Sequence, residues 1–185
     1  IYEAIYPETV EWLKTISGFS DVASKLAGLD LDNLLGEMSR LNGIMNIEPG
    51  VDGEQLSQLF ITRLSERGIE LTQEQFTAVT EPLSRIYAIP DHLHALTHML
   101  GDGLVPSNAK AGYLARMLAR RILRMRDDLG LEVSLSELIN HHLDVNMDGH
   151  DMKQTRDGLL TIMNLEEERY TCLLYTSPSP RDGLL

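Results

Sequence analysis

The chain of 185 residues has a single cysteine, Cys172, which excludes both a disulfide framework and a four-thiolate zinc site. Aromatic residues make up only 5%, too few for a platform on which successive bases of a single strand stack. No apolar run approaches the ~18 residues of a membrane span, and no basic stretch followed by an apolar one opens the chain as a secretory signal does. An initiating Met is lacking too, so Ile1 reads as a cut end. Basic residues are outnumbered, 16 against 28 acidic, and a net charge of −12 argues against general attraction to nucleic acid. No segment alternates convincingly at a period of two, which removes the half-buried β-strand. What is present, 43% hydrophobic and 24% charged residues, is the composition of a globular domain with a core.

The spacing of apolar residues is helical nearly throughout, so the expected fold class is all-α. Val10, Leu13 and Ile16 share a face closed by Gly18. Leu31, Leu34, Leu35, Met38 and Leu41 form the next stripe, ending near Asn42-Gly43, and Ile44–Gly53 reads as a loop. Leu56, Leu59, Phe60 and Leu64 follow, stopped by Gly68. Thr72 with Gln75 is a capping box opening a helix toward Tyr87, kinked or divided at Pro82, and Pro90 suits the first turn of another that runs to Leu100. Residues 108–129 predict the longest helix, Ser134 with Glu137 caps a short one, and 151–170 gives the last.

Charge by segment is more informative than the total. Residues 1–107 carry 6 basic and 16 acidic side chains, and residues 127–185 carry 4 and 12. Between them, residues 108–126 hold Lys110, Arg116, Arg120, Arg121, Arg124 and Arg126 with no acid. A run so unmixed in sign points to a polyanion, although most charge runs are simply solvated helix faces. At about 100° per residue, Arg116, Arg120 and Arg124 share one arc, while Leu114, Leu118, Ile122 and Met125 lie nearly opposite and are expected to face the core. Arg121 falls on that apolar side and needs a carboxylate or a phosphate. Local geometry makes Asn108 or Ser107 the N-cap. Gly112, one turn in, costs about 1 kcal/mol against Ala in a helix, and its missing side chain admits a closely approaching backbone, from protein or from nucleic acid.

The string Val105-Pro106-Ser107-Asn108-Ala109-Lys110-Ala111-Gly112-Tyr113-Leu114-Ala115-Arg116, continuing to Arg120-Arg121, resembles the signature of the alanine–tRNA ligases in its archaeal form. Tyr87-Ala88-Ile89, Asp91-His92, Ala95-Leu96 and Asp102-Gly103 extend the likeness upstream, as does Ala4-Ile5-Tyr6-Pro7-Glu8. Leu165 and Glu166–Tyr170 resemble a later helix of the family less specifically. His94 stands where the family usually has Arg, and Pro90 where it usually has Ala. The resemblance covers about residues 1–171 and implies a helical tRNA-recognition region built around the basic helix. It places ATP and magnesium in a catalytic core upstream and zinc in an editing domain downstream, so no cofactor is expected in this stretch, and a cytoplasmic location follows. The implied partner is the acceptor stem of alanine tRNA, with neither DNA nor a membrane expected.

By the same resemblance Asn108 reads the G·U wobble that marks alanine tRNAs. In A-form RNA the minor groove is wide and shallow, and a wobble leaves the exocyclic amine of guanine unpaired there. An Asn amide, with one acceptor and two donors, suits that amine. Lys110, Arg116, Arg120 and Arg124 are assigned to the phosphates from charge and periodicity, and Gly112 to close approach.

Rival readings carry chemistry of their own. Asp144-Val145-Asn146-Met147-Asp148-Gly149 opens like a calcium loop, but its twelfth position is Thr155 where a bidentate Glu belongs. Asp91, His94 and His98 fall on one helical face that could seat a divalent metal, and His150-Asp151 would then suggest a phosphohydrolase. A helical adaptor that binds no nucleic acid is the third possibility. Residues 172–185, with Ser-Pro-Ser-Pro, break the helical pattern and resemble translated adapter sequence, expected to be a disordered non-native tail.

Overall fold

The computed structural model describes residues 2–19, 21, 26, 29–45, 52–146 and 156–176. Within them all regular structure is helical: α1 (Tyr2–Ile5), α2 (Pro7–Ile16), α3 (Leu31–Ile44), α4 (Gly53–Ser65), α5 (Gln73–Gly101), α6 (Lys110–Asp128), α7 (Leu135–Asn146) and α8 (Arg156–Thr176). The all-α expectation holds. Two compact units divide the chain, one made of residues 1–17 and 85–185, the other of residues 18–84.

The smaller unit packs α3 on α4. Leu34 and Leu41 are buried on α3, Phe60 and Leu64 on α4, and the Phe60 and Phe76 rings lie 6.1 Å apart. Asp30 caps α3 by accepting from the backbone N–H of Asp32 and Asn33 at 3.1 and 3.3 Å. Gly68, at φ +81°, makes the left-handed turn that ends α4's extension, as its position in the sequence suggests.

The largest departure from the sequence pattern is α5, which runs 29 residues without a break through both Pro82 and Pro90. Each proline removes one helical hydrogen bond, at about 3 kcal/mol. The buried stripe Val79, Leu83, Ile86, Ile89, Leu93, Leu96 and Leu100 is continuous at three- and four-residue spacing across both. Burial of that stripe outweighs the local cost, at roughly 1.5–3 kcal/mol for each large side chain. The helix opens as expected: Thr72 Oγ1 accepts from Gln75 N–H, and Gln75 Oε1 from Thr72 N–H. This helix, not α6, is the longest of the described elements.

In the larger unit, α8 packs on α6 and α7, and α7 also on α2. The core gathers Val10 and Leu13 of α2, Ile122 and Leu123 of α6, Leu135, Leu138 and Ile139 of α7, and Leu159 and Met163 of α8. The second capping box is present as well, with Glu137 accepting from Ser134 N–H at 2.7 Å and returning its own N–H to Ser134 Oγ. Those bonds hold the Glu137 carboxyl below its ordinary range. Lys14 and Tyr87 both donate to Glu3 Oε1, at 2.5 and 2.9 Å, and so fasten α1. Helix α8 continues through Cys172 to Thr176, and residues 177–185 lie outside the described residues.

Candidate nucleic-acid interface

The site is built from the loop that leads into α6. Its backbone doubles back so that Ser107 N–H donates to the Gly112 carbonyl at 2.9 Å. A Cβ on Gly112 would fall 2.5 Å from the Val105 carbonyl oxygen and collide with Ser107 Oγ. The glycine is therefore required, but the backbone that approaches it belongs to this chain. Neither Asn108 nor Ser107 caps the helix. Ala109 takes the N-cap position without a side-chain bond, and Ser107 Oγ is turned to Ala109, donating to its carbonyl and accepting its N–H. Lys110 follows at φ +52°, the one described non-glycine residue in the left-handed region. Such a conformation costs roughly 1 kcal/mol or more and concentrates at functional sites.

Freed from capping, Asn108 stands exposed with its Oδ1 accepting from a terminal nitrogen of Arg116. The same guanidinium donates to the Pro106 carbonyl at 3.3 Å. Its Nε lies 2.9 Å from Oε1 of Glu166 on α8, a charge contact off the hydrogen-bond direction. Glu166 is 1% exposed and faces two further cations, Arg120 at 3.7 Å and Arg169 at 3.5 Å. Arg116, at 13% exposure, is thus turned inward against Glu166. Arg120 is half-turned toward the same carboxylate. Of the expected basic arc Arg116, Arg120 and Arg124, only Arg124 is exposed, as are Lys110 and Arg121.

The apolar face of α6 is also rotated from the expected one. Gly112, Ala115, Ala119, Ile122 and Leu123 are buried, while Leu114 is 44% exposed and Arg121 points to solvent. Small residues let neighbouring backbone come close, which the larger Leu114 and Leu118 would prevent. The stripe Gly112, Ala115, Ala119, Ile122 has regular three- and four-residue spacing and was legible. Weight given to large side chains hid it.

A family model described as tRNA synthetases class II (A) matches residues 32–176. The chain belongs to that family. It is 38% identical over 170 residues to the alanine–tRNA ligase of Methanothrix thermoacetophila and 35% identical over 170 to that of Methanosarcina barkeri, covering 92% of this chain and 18% of each relative. The alanine–tRNA ligase of Pyrococcus abyssi is 37% identical over 171 residues, 92% of this chain and 17% of the relative. The chain therefore spans less than a fifth of the length of these curated relatives. The resemblance drawn from residues 105–121 is borne out at the level of the family.

Those residues of the rival metal readings that are described have contacts of their own. Among the described residues no group of three or more His, Cys, Asp or Glu side chains is arranged to hold a metal ion. Asp144 and Asn146 lie in the last turn of α7, where Asp144 accepts from Arg156 at 2.8 Å and Asn146 donates to Thr9 at 2.7 Å. The rest of that loop, residues 147–155, is outside the described residues, and so is His150. His94 and His98 instead join an aromatic cluster: His94 and His98 rings are 4.6 Å apart, and His94 Nδ1 lies 3.4 Å from His142 Nε2 beneath Tyr6. Burial holds His94 below the ordinary imidazole range. His94, where the family usually has Arg, is thus engaged inside its own unit.

Sequence reasoning missed Glu166, although it stands in a helix that resembles the family's. A lone Glu in a Glu-Glu-Glu run reads as a solvated face. Only packing shows that one of the three is buried among arginines.

No helix of the described residues is long and apolar enough to cross a membrane.

Proposed function

We propose that this chain is the tRNA-selecting part of an alanine–tRNA ligase, and that it recognises the acceptor stem of alanine tRNA by its G·U wobble through Asn108. The whole protein would activate alanine with ATP and esterify it to the terminal adenosine of the tRNA. ATP and magnesium, and the zinc of the editing domain, belong on this reading to the remaining length of the ligase, as the resemblance to the family implies.

The observation that carries the reading is the placement of Asn108. It is exposed at the mouth of a cation-rich helix, released from capping and held by a side chain eight residues along. Its Oδ1 uses one lone pair on Arg116 and keeps the other, and both Nδ2 hydrogens remain. One acceptor site beside two donors suits guanine's free amine together with a neighbouring acceptor on the base pair or ribose. Lys110, Arg121 and Arg124 then serve as phosphate contacts, which set register and carry no sequence information. Arg120 contributes charge from a half-turned position.

The test is binding of two acceptor-stem hairpins that differ only in G·U against G·C. Asn108→Ala should reduce the preference for G·U by about tenfold, the worth of a good polar contact to a base edge, and leave G·C binding nearly unchanged. Equal affinity for the two hairpins in the parent chain, or a preference that survives Asn108→Ala, overturns the reading.

A further inference from the structure

We infer that Glu166 and Arg116 form a positioning pair that fixes the orientation of the Asn108 amide, so that discrimination depends on a buried carboxylate on another helix. The inference rests on the proposed role of Asn108 and adds to it the two residues that make the reading selective.

The physical problem is the symmetry of an amide. Rotation by 180° about its last torsion exchanges the oxygen for the NH2 group with little change of shape, so an unrestrained Asn offers a base edge either an acceptor or a donor. Such a residue tolerates guanine's amine and its opposite alike. A guanidinium beside it removes the degeneracy, because Arg carries only donors and the flipped amide would set NH2 against a cation. In this chain Arg116 faces Oδ1 of Asn108 and so holds the amide in one state.

Arg116 can do this only if it is itself fixed, and three contacts fix it. One nitrogen faces Glu166, one the Pro106 carbonyl and one Asn108. The planar fork donates to Asn108 and Pro106 while its third nitrogen meets the charge of Glu166, an arrangement that an ammonium on a flexible stem cannot reproduce from one position. Glu166 is 1% exposed and sits among Arg116, Arg120 and Arg169, so its charge is fully committed to α6 and to its own helix. Turned inward against that carboxylate and 13% exposed, Arg116 is not placed to meet a phosphate. Its role is geometric.

The two explanations of Arg116 separate on one substitution. Arg116→Lys keeps the positive charge and should preserve the salt dependence of hairpin binding, whereas the preference for G·U over G·C should fall by about tenfold. Glu166→Gln, which keeps the shape of the side chain and removes its charge, should produce the same loss of preference with G·C binding unchanged. Both are measured in the full-length ligase, with Asn108→Ala alongside and melting curves for each variant. Retention of the parent preference in both Arg116→Lys and Glu166→Gln, while Asn108→Ala loses it, overturns the positioning pair and leaves the role of Asn108 standing. Retention of the preference in Asn108→Ala overturns both. If Arg116→Lys proves too unstable to assay, Glu166→Gln decides alone.

Discussion

The two ends of α6 are held by the same device put to different uses. At the C-terminal end Arg126 pairs with Glu167 and Asp127 and donates to the Val133 carbonyl at 3.3 Å. At the N-terminal end Arg116 pairs with Glu166 and donates to the Pro106 carbonyl. Ten residues of helix, about 15 Å, separate the arginines, yet they end on neighbouring residues of α8. At each end a guanidinium ties a helix, a carboxylate and a loop carbonyl together. The difference lies in what the loop offers. Past Val133 the chain turns into the Ser134–Glu137 capping box, and Glu167 also accepts from Leu135 N–H at 2.8 Å, so the loop's groups are spent within the joint and its capping box. Past Pro106 stands Asn108, a side chain left exposed with hydrogen-bonding capacity in hand. One end is a joint, and the other is a joint that presents something.

The sharpest way to break this comparison is to remove the joint that presents nothing. Arg126 and Glu167 are 14% and 19% exposed, so Arg126→Met strands a carboxylate that is mostly buried. A loss of about 3 kcal/mol in urea unfolding is expected. In the hairpin assay the surviving folded protein should keep its preference for G·U. Should the preference fall with Arg126→Met as it does with Arg116→Lys, the two ends are not functionally distinct and the comparison fails.

A smaller loss of stability, from a place remote from both ends, provides the reference. His142 is fully buried. Around it stand Tyr6 at the N-cap of α2, His94 and His98 of α5, and His141 and Asn146 of its own helix. Burial first, then the neighbouring imidazoles His94, His141 and His98, push it down to about 4. In the unfolded chain it titrates near 6.5, so between pH 6.5 and 4 the unfolded state binds a proton that the folded state refuses. The stabilisation is complete above pH 6.5 and declines as pH falls toward 4. About 2 kcal/mol should be gone at pH 5. His142→Asn should flatten that part of the stability–pH curve; an unchanged slope between pH 7 and 5 would assign the loss to other groups.

How far the sequence led can be argued from particular residues. Both capping boxes, at Thr72 and Ser134, are local patterns and form as expected. The prolines of α5 misled because propensity is local while the stripe from Val79 to Leu100 acts over about six turns. Asn108 was found by family resemblance, since local rules would have made it an N-cap. Segment charge found α6 but misjudged its arginines, because the acids that face them, Glu166 and Glu167, are 41 or more residues away in sequence and adjacent only after packing. The charge on a segment and the charge on a surface are different quantities.

The smallest expected effect tests that distinction directly. Arg121 was placed against the core by the rotated face and is instead exposed, so its loss should cost under about 0.5 kcal/mol of stability. If it is one of the outward cations that track phosphate, Arg121→Ala weakens both hairpins alike. The slope of log affinity against log salt should then fall by somewhat under one, as for a single phosphate contact. The ratio of G·U to G·C affinity should not move, because a phosphate contact positions without reading. Arg116→Lys is expected to behave in the opposite way, keeping the slope and losing the ratio. Two arginines five residues apart on one helix would then divide affinity and selectivity between them, with the division set by which one α8 pulls inward.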